Sequence, residues 1–269
     1  MGKSENEMSF LDHLETLRWH LMRSVSAIFV FGIVLFIYKD FVFDVVILAP
    51  SKPEFLTNRF LCYLSGQMEI PGLCINQVPL RLQNIAMSGQ FTTHVTISFV
   101  LGAILAFPYI FWEFWRFVRP ALYPHEVKNA QGAIWAASLL FTVGILFAYF
   151  LILPLSIDFL GNYQVSSQVD NIVNLNSYIS TVTSILLSGG VVFELPVFIY
   201  FLSKVGIVSS SFLGKYRRHA ILIIIIFAAI ITPPDVVSQI MVALPLLVLY
   251  EFSITLAKRI EKSKALQTK

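Results

Sequence analysis

Long apolar runs separated by short clusters of charge set the pattern of this chain. Stretches 82–112, 129–157 and 171–193 contain no Asp, Glu, Lys or Arg. Each is longer than the about 20 residues that an α-helix needs to cross a hydrocarbon core. The pattern predicts six spans, at about 19–38, 91–114, 130–153, 178–202, 219–232 and 236–257. The fifth has only 14 residues between Arg218 and Pro233, or about 21 Å of helix at 1.5 Å per residue. The sixth contains Pro245 and Glu251. A final pair this short must thin the bilayer locally or keep its connecting turn below the far surface. The expected fold is therefore all-α, a polytopic membrane protein of six transmembrane helices with the last two short.

The first 18 residues are different, with Lys3, Glu5, Glu7, Asp12, Glu15 and Arg18. Ser9 to Asp12 reads as a helix cap with an acid in the first turn. Phe10, Leu14, Leu17 and Leu21 then fall on one helix face. This predicts a cytoplasmic amphipathic segment over 1–18 lying on the membrane and leading into the first span. No small-residue cleavage site follows a short apolar core, so a cleavable signal is not expected. The domain division is then 1–18, a six-span domain over 19–257 with an external loop at about 39–90, and a basic cytoplasmic tail over 258–269.

Composition narrows the class further. Hydrophobic residues make up 57% of the chain and charged residues 13%, about half the charge of an ordinary soluble domain. Mean hydropathy is +0.75. A soluble enzyme, a disordered chain and a coiled coil are excluded, and a net charge of +3 gives no nucleic-acid surface. Lys and Arg set the orientation. Of 19 such residues, all but Lys39, Lys52, Arg59 and Arg81 fall at the N-terminus, in the 2–3 and 4–5 loops or in the tail. Both termini are expected in the cytoplasm. The two cysteines, Cys62 and Cys74, lie in the external loop. A disulfide is easy at that spacing and would staple a loop short of core. Two free thiols are the alternative. No inverted repeat is visible, which weakens the usual secondary-transporter layout.

Polar residues inside the spans are the candidate chemistry. Glu194 lies deep in the fourth span, where an ionised acid costs about 2.5–3.5 kcal/mol. It needs a partner, water or a proton. Pro196 follows and should kink the helix, while Gly189 and Gly190 permit close approach of another helix. An internal pair and a site for a partner helix or substrate are both open. Asp235, after Thr232-Pro233-Pro234, can cap the sixth span, and Gln239 shares its face one turn later. Between the second and third spans, Phe117 to Glu126 contains two prolines, and Glu126 stands among Arg119 and Lys128. His125-Glu126 lacks the second His of a metalloprotease helix. His94 reads as a hydrogen-bonded span-end residue. No nucleophile elbow, paired intramembrane Asp or phosphate-cradling loop occurs. Neither an enzyme, a metal nor a cofactor is expected.

Several segments together resemble the TatC family, the multi-span subunit of the twin-arginine protein translocase. They are His13-Leu14-Glu15-Thr16-Leu17-Arg18; Ala49-Pro50; Phe117 to Glu126 with its Pro-Ala-Leu-Tyr-x-His-Glu core; Phe147-Ala148-Tyr149-Phe150 with Pro154; Phe193-Glu194-Leu195-Pro196; and Thr232 to Asp235 with Ser238-Gln239. The resemblance implies export of folded proteins across the bacterial cytoplasmic (inner) membrane, driven by the protonmotive force without nucleotide. It implies binding of twin-arginine signal peptides at the cytoplasmic face by Leu14, Glu15, Thr16, Leu17, Arg18, Phe117, Pro120, Leu122, Tyr123 and Glu126. Carboxylates suit that task because they accept both donors of a guanidinium fork. The resemblance also implies docking of single-span TatA/TatB-type subunits at Glu194, Pro196, Thr232, Asp235 and Gln239, in a homo-oligomeric complex. One departure stands out: the family motif reads His-Leu-x-Glu-Leu-Arg, and this chain has Thr16 where the Glu belongs, with Glu15 about 100° away around the helix. The competing reading is a secondary transporter or ion pathway using Glu194 and Asp235.

Overall fold

A computed structural model of the chain describes residues 10–69, 71–77, 80–119, 124–166, 168, 171–231 and 236–267. They form two compact units, Met1–Lys39 with His94–Ser138, and Asp40–Thr93 with Leu139–Lys269. Ten α-helices are described: α1 Phe10–Ile37, α2 Leu56–Met68, α3 Gly89–Val118, α4 Pro124–Phe147, α5 Leu153–Asn162, α6 Leu175–Phe193, α7 Leu195–Val205, α8 Ser210–Lys215, α9 Arg217–Ile231 and α10 Val236–Gln267.

In the first unit, α1 runs without interruption from Phe10 to Ile37, through the expected boundary at residue 18. It meets α3 at three levels. Near one end the Phe36 carbonyl lies 3.0 Å from His94 Nε2, and the two rings stack at 3.9 Å. In the middle, a Cβ on Gly102 would stand 2.8 Å from the Gly32 nitrogen, so only glycine lets these backbones approach so closely. The third level is the His20–Glu113 contact described below. Phe29, Val30, Ile33 and Val34 are exposed on α1, as suits a helix facing lipid rather than a protein core.

The second unit gathers the external loop and the later helices. The loop holds a π-helical turn at Phe41–Ile47, two short 3-10 turns at Ala49–Ser51 and Pro71–Leu73, and α2. Cys62 and Cys74 form a disulfide. Two buried asparagines organise the rest. Asn58 donates to the Pro50 and Lys52 carbonyls at 3.0 and 2.8 Å. Asn76 donates to Asn58 Oδ1 at 3.3 Å and to the Pro154 carbonyl at 3.0 Å, while its backbone N–H donates to Asp158 at 2.7 Å. Its φ of +52° is a left-handed conformation that asparagine tolerates better than most residues. Tyr149 and Tyr178 add bonds to the Val46 and Ile47 carbonyls at 2.8 and 2.7 Å. Strand β1, Leu82–Gln83, pairs in parallel with β2, Val173–Asn174, with Leu82 opposite Val173.

A π-helical turn at Ala148–Ile152 joins α4 to α5, and Glu194 separates α6 from α7. Pro196 cannot donate to the helix ladder, so the break falls just before it. Gly206, at φ +91°, ends α7. Among the described residues, five helical stretches are long and apolar enough to cross a membrane: Leu14–Ile37, Gly89–Val118, Ile134–Asn162, Leu175–Val205 and Gln239–Lys262. The short fifth span expected from sequence corresponds to α9, with 15 residues. The last helix is not short. It has 32 residues, because Pro245 is tolerated inside it and the basic tail continues as helix to Gln267. A proline within a transmembrane helix is accommodated by neighbouring groups and local adjustment. Glu261 fixes this extension by accepting from the Ser210 backbone N–H at 2.7 Å and its hydroxyl at 2.5 Å. Arg217 pairs with Glu251 at 2.8 Å.

Candidate functional site

The first unit holds a polar cluster around Glu113, which lies on α3 one turn before Phe117. Its side chain is 1% exposed. His20 of α1 contacts one carboxylate oxygen directly. Arg23 Nη1 lies 3.9 Å from the same oxygen, and Arg116 Nη1 lies 3.5 Å from the other. Tyr109 donates its hydroxyl at 2.9 Å. Helical spacing explains the convergence. Tyr109, Glu113 and Arg116 are i−4, i and i+3 on α3, so they share a face. His20 and Arg23 are similarly spaced on α1. A buried carboxylate survives only when paired and hydrogen-bonded, and Glu113 is both. Two guanidiniums surround one carboxylate, so the cluster carries surplus positive charge at its exposed rim.

This cluster touches one expected site residue, Phe117, and lies on the same helix as five others, Leu14 to Arg18. His20 meets Phe117 edge-on, with ring centroids 6.2 Å apart. One turn before His20, Thr16 is half-buried, while Leu14, Glu15, Leu17 and Arg18 are exposed. The Arg18 guanidinium lies 5.8 Å from the centre of the Trp19 ring. Pro120, Leu122 and Tyr123 lie outside the described residues, and for Glu126 only its place in the first turn of α4 is described. Sequence reasoning passed over Glu113 because it fell at the end of an apolar span. The available signal was an acid inside a candidate span with a tyrosine at i−4 and an arginine at i+3.

Beside the cluster is an open cavity of about 650 Å³. Trp112, Trp115 and Arg116 of α3, with Arg119 just past its end, line one wall, and Ile134, Trp135 and Ser138 of α4 the other. The Arg116 guanidinium lies 4.8 Å from the centre of the Trp112 ring, within cation–π range.

In the second unit, Glu194 is 4% exposed. Neither carboxylate oxygen has a side-chain hydrogen-bond partner among the described residues, and the Phe141 backbone N–H is a weak donor to it that falls short of full hydrogen-bond geometry. Small residues pack tightly nearby. A Cβ on Gly189 would stand 2.5 Å from Ala148 Cβ and 3.0 Å from the Gly144 carbonyl oxygen. Pro196 is buried. Thr232 and Asp235 lie outside the described residues. Gln239 donates to the Ile225 carbonyl at 3.2 Å, tying α10 to α9.

Residues 12–245 match the family described as TatC: Sec-independent protein translocase protein (TatC). The chain belongs to the TatC family. The Sec-independent protein translocase protein TatC of Blattabacterium sp. subsp. Periplaneta americana (strain BPLAN) is 41% identical over 266 residues, covering 98% of this chain and 100% of that protein. TatC of Helicobacter pylori (strain ATCC 700392 / 26695) is 37% identical over 248 residues, covering 92% of this chain and 87% of that one. A crystal structure of the twin arginine translocase receptor TatC in DDM superposes with a TM-score of 0.68 at 32% identity, covering 91% of this chain and 99% of that one. A second TatC receptor crystal structure gives 0.64 at 31% identity, with 93% and 99% coverage. As a TatC protein, the chain is a multi-pass membrane subunit of the Sec-independent, twin-arginine protein translocase.

Proposed function

We propose that this TatC protein is the signal-peptide receptor of its translocase in the bacterial inner membrane. Leu14 to Arg18 and Phe117, with Pro120, Leu122, Tyr123 and Glu126, form the surface that takes the twin arginines at the cytoplasmic face. Glu15 and Glu126 each accept one guanidinium, with Thr16 adding a neutral hydrogen bond where the family has Glu. The observation that carries this reading is the His20–Glu113 contact, which ties the helix bearing Leu14 to Arg18 to the helix bearing Phe117. In this reading six spans cross the membrane, α9 by local thinning, and both termini are cytoplasmic. The 1–18 segment and the tail from 258 then lie at the cytoplasmic surface. A disulfide in the 39–90 loop agrees with that orientation, because disulfides persist on the oxidising side of the membrane.

The same protein scaffolds TatA/TatB-type subunits and further copies of itself for protonmotive-force-driven export. A single-span partner docks near Glu194, Pro196, Thr232, Asp235 and Gln239, and a polar side chain on it satisfies the buried Glu194 carboxyl. The burial of that carboxyl, with no side-chain hydrogen-bond partner among the described residues, supports this role.

The test is binding of a twin-arginine signal peptide to the purified protein, beside its twin-lysine version and the Glu126→Ala variant. Binding should need both arginines and Glu126. Equal binding of the twin-lysine peptide, or unchanged binding by Glu126→Ala, would sink the receptor assignment.

A further inference from the structure

The cavity between α3 and α4 in the first unit is not needed to bind a pair of arginines, and its chemistry is wrong for doing so. Arg116 and Arg119 stand on the wall of this cavity. Arg116 already shares Glu113 with Arg23 and His20, and no ion pair among the described residues includes Arg119. Cationic side chains in such surplus attract an anion. Below them the walls turn aromatic, with Trp112, Trp115 and Trp135. Trp135 is 78% exposed, so a large apolar ring is left facing whatever fills the space. From Arg119 down to Pro108, which also lines the cavity, is about 16 Å along the helix at 1.5 Å per residue. That depth spans a headgroup layer and the first part of an acyl chain. Tryptophan belts mark the membrane interface, and basic pockets between transmembrane helices suit anionic lipid headgroups.

We propose that this cavity holds one anionic phospholipid, its phosphodiester on Arg116 and Arg119 and an acyl chain along the three tryptophans. A free phosphate would use the mouth alone and leave the aromatic walls without a role, so the occupant is a lipid. The inference rests on the membrane character of the chain and not on the signal-peptide reading, so the two fail separately.

The chain has four tryptophans, and three of them line this cavity, which gives a direct probe. In a Trp19→Phe background, all indole fluorescence comes from the cavity walls. The protein in neutral detergent is titrated with phosphatidylglycerol brominated on its acyl chains, and separately with brominated phosphatidylcholine. Quenching by phosphatidylglycerol should saturate at a concentration at least about fivefold lower, the contribution expected of one arginine near the membrane surface. Arg119→Gln, which leaves the Glu113 pairs intact, should lose most of that preference. Arg217→Gln, whose arginine pairs with Glu251 in the second unit, should keep it. Equal quenching by the two lipids, an unchanged preference in Arg119→Gln, or displacement by millimolar inorganic phosphate would overturn the proposal.

Discussion

Replacing Glu113 tests whether the cluster on α1 and α3 is a clamp or merely a solvated group of charges. The carboxylate is 1% exposed and His20 is 12% exposed, so their contact is a buried pair. Removing one member of such a pair costs about 3–5 kcal/mol, since the other is left desolvated. Arg23 and Arg116 behave differently. They are 48% and 44% exposed and rehydrate when the acid is lost, so each contributes at most about 1 kcal/mol. Glu113→Ala should therefore destabilise the protein by about 3 kcal/mol or slightly more, the lower end of the buried-pair range. Glu113→Gln can still accept from Tyr109 and should cost about half as much, as befits the loss of charge without loss of a hydrogen bond. The decisive measurement is a double-mutant cycle, read by equilibrium unfolding in detergent. His20→Leu with Glu113→Leu should show coupling of about 2 kcal/mol, and Arg23→Leu with Glu113→Leu less than about 1 kcal/mol. On the proposed receptor reading, signal-peptide affinity should follow the first cycle, because His20 lies on the same helix as Leu14–Arg18 and meets both Glu113 and Phe117 of α3. Additivity of the His20 cycle within about 0.5 kcal/mol would refute the clamp.

Two further outcomes are expected. Gly189→Ala would place a Cβ 2.5 Å from Ala148 Cβ and should destabilise by about 1–3 kcal/mol, as overpacking does; Gly66→Ala, with nothing within 4 Å of its Cβ, should be neutral or stabilising in the same equilibrium unfolding measurement, and equal effects would discount the close packing. Glu194→Gln should leave signal-peptide binding unchanged while weakening co-purification of single-span subunits, whereas unaltered co-purification and export would return Glu194 to a purely internal role.

The long helices were legible because charge-free runs of that length have few other stable forms. The break at Glu194 was legible for the same kind of reason, since a proline two residues later removes a ladder donor. Residues 10–18 and the apolar span they were expected to lead into form one helix, so the shift from amphipathic to apolar near residue 18 is a change of composition without a break in the backbone. The length of α10 was hidden. The tail charges after residue 257 look like the end of the span, yet the helix runs on to Gln267 and is held there by the Ser210–Glu261 contact, which depends on residues 51 apart. Glu113 was missed for a related reason. Its partners His20 and Arg23 lie about ninety positions away, and only the crossing of α1 over α3 at Gly32 and Gly102 brings them within reach. Likewise Asn58 and Asn76 read as ordinary loop residues until their side chains are seen joining Pro50, Pro154 and each other.

The disulfide gives this subunit a maturation order of its own. Cys62 lies on α2, and Cys74 stands two residues before Asn76, the residue that reaches both Pro154 and Asp158. Until the bond closes, Asn76 is tethered to α2 by an open chain of greater entropy, and its anchoring to α5 is correspondingly weaker. Closure requires an oxidant, and on the proposed orientation that oxidant lies across the membrane. The loop must therefore cross as unfolded chain before it can be sealed. On that orientation the sealing of this loop, and with it the full anchoring of Asn76, depends on the thiol-oxidising capacity of the far compartment.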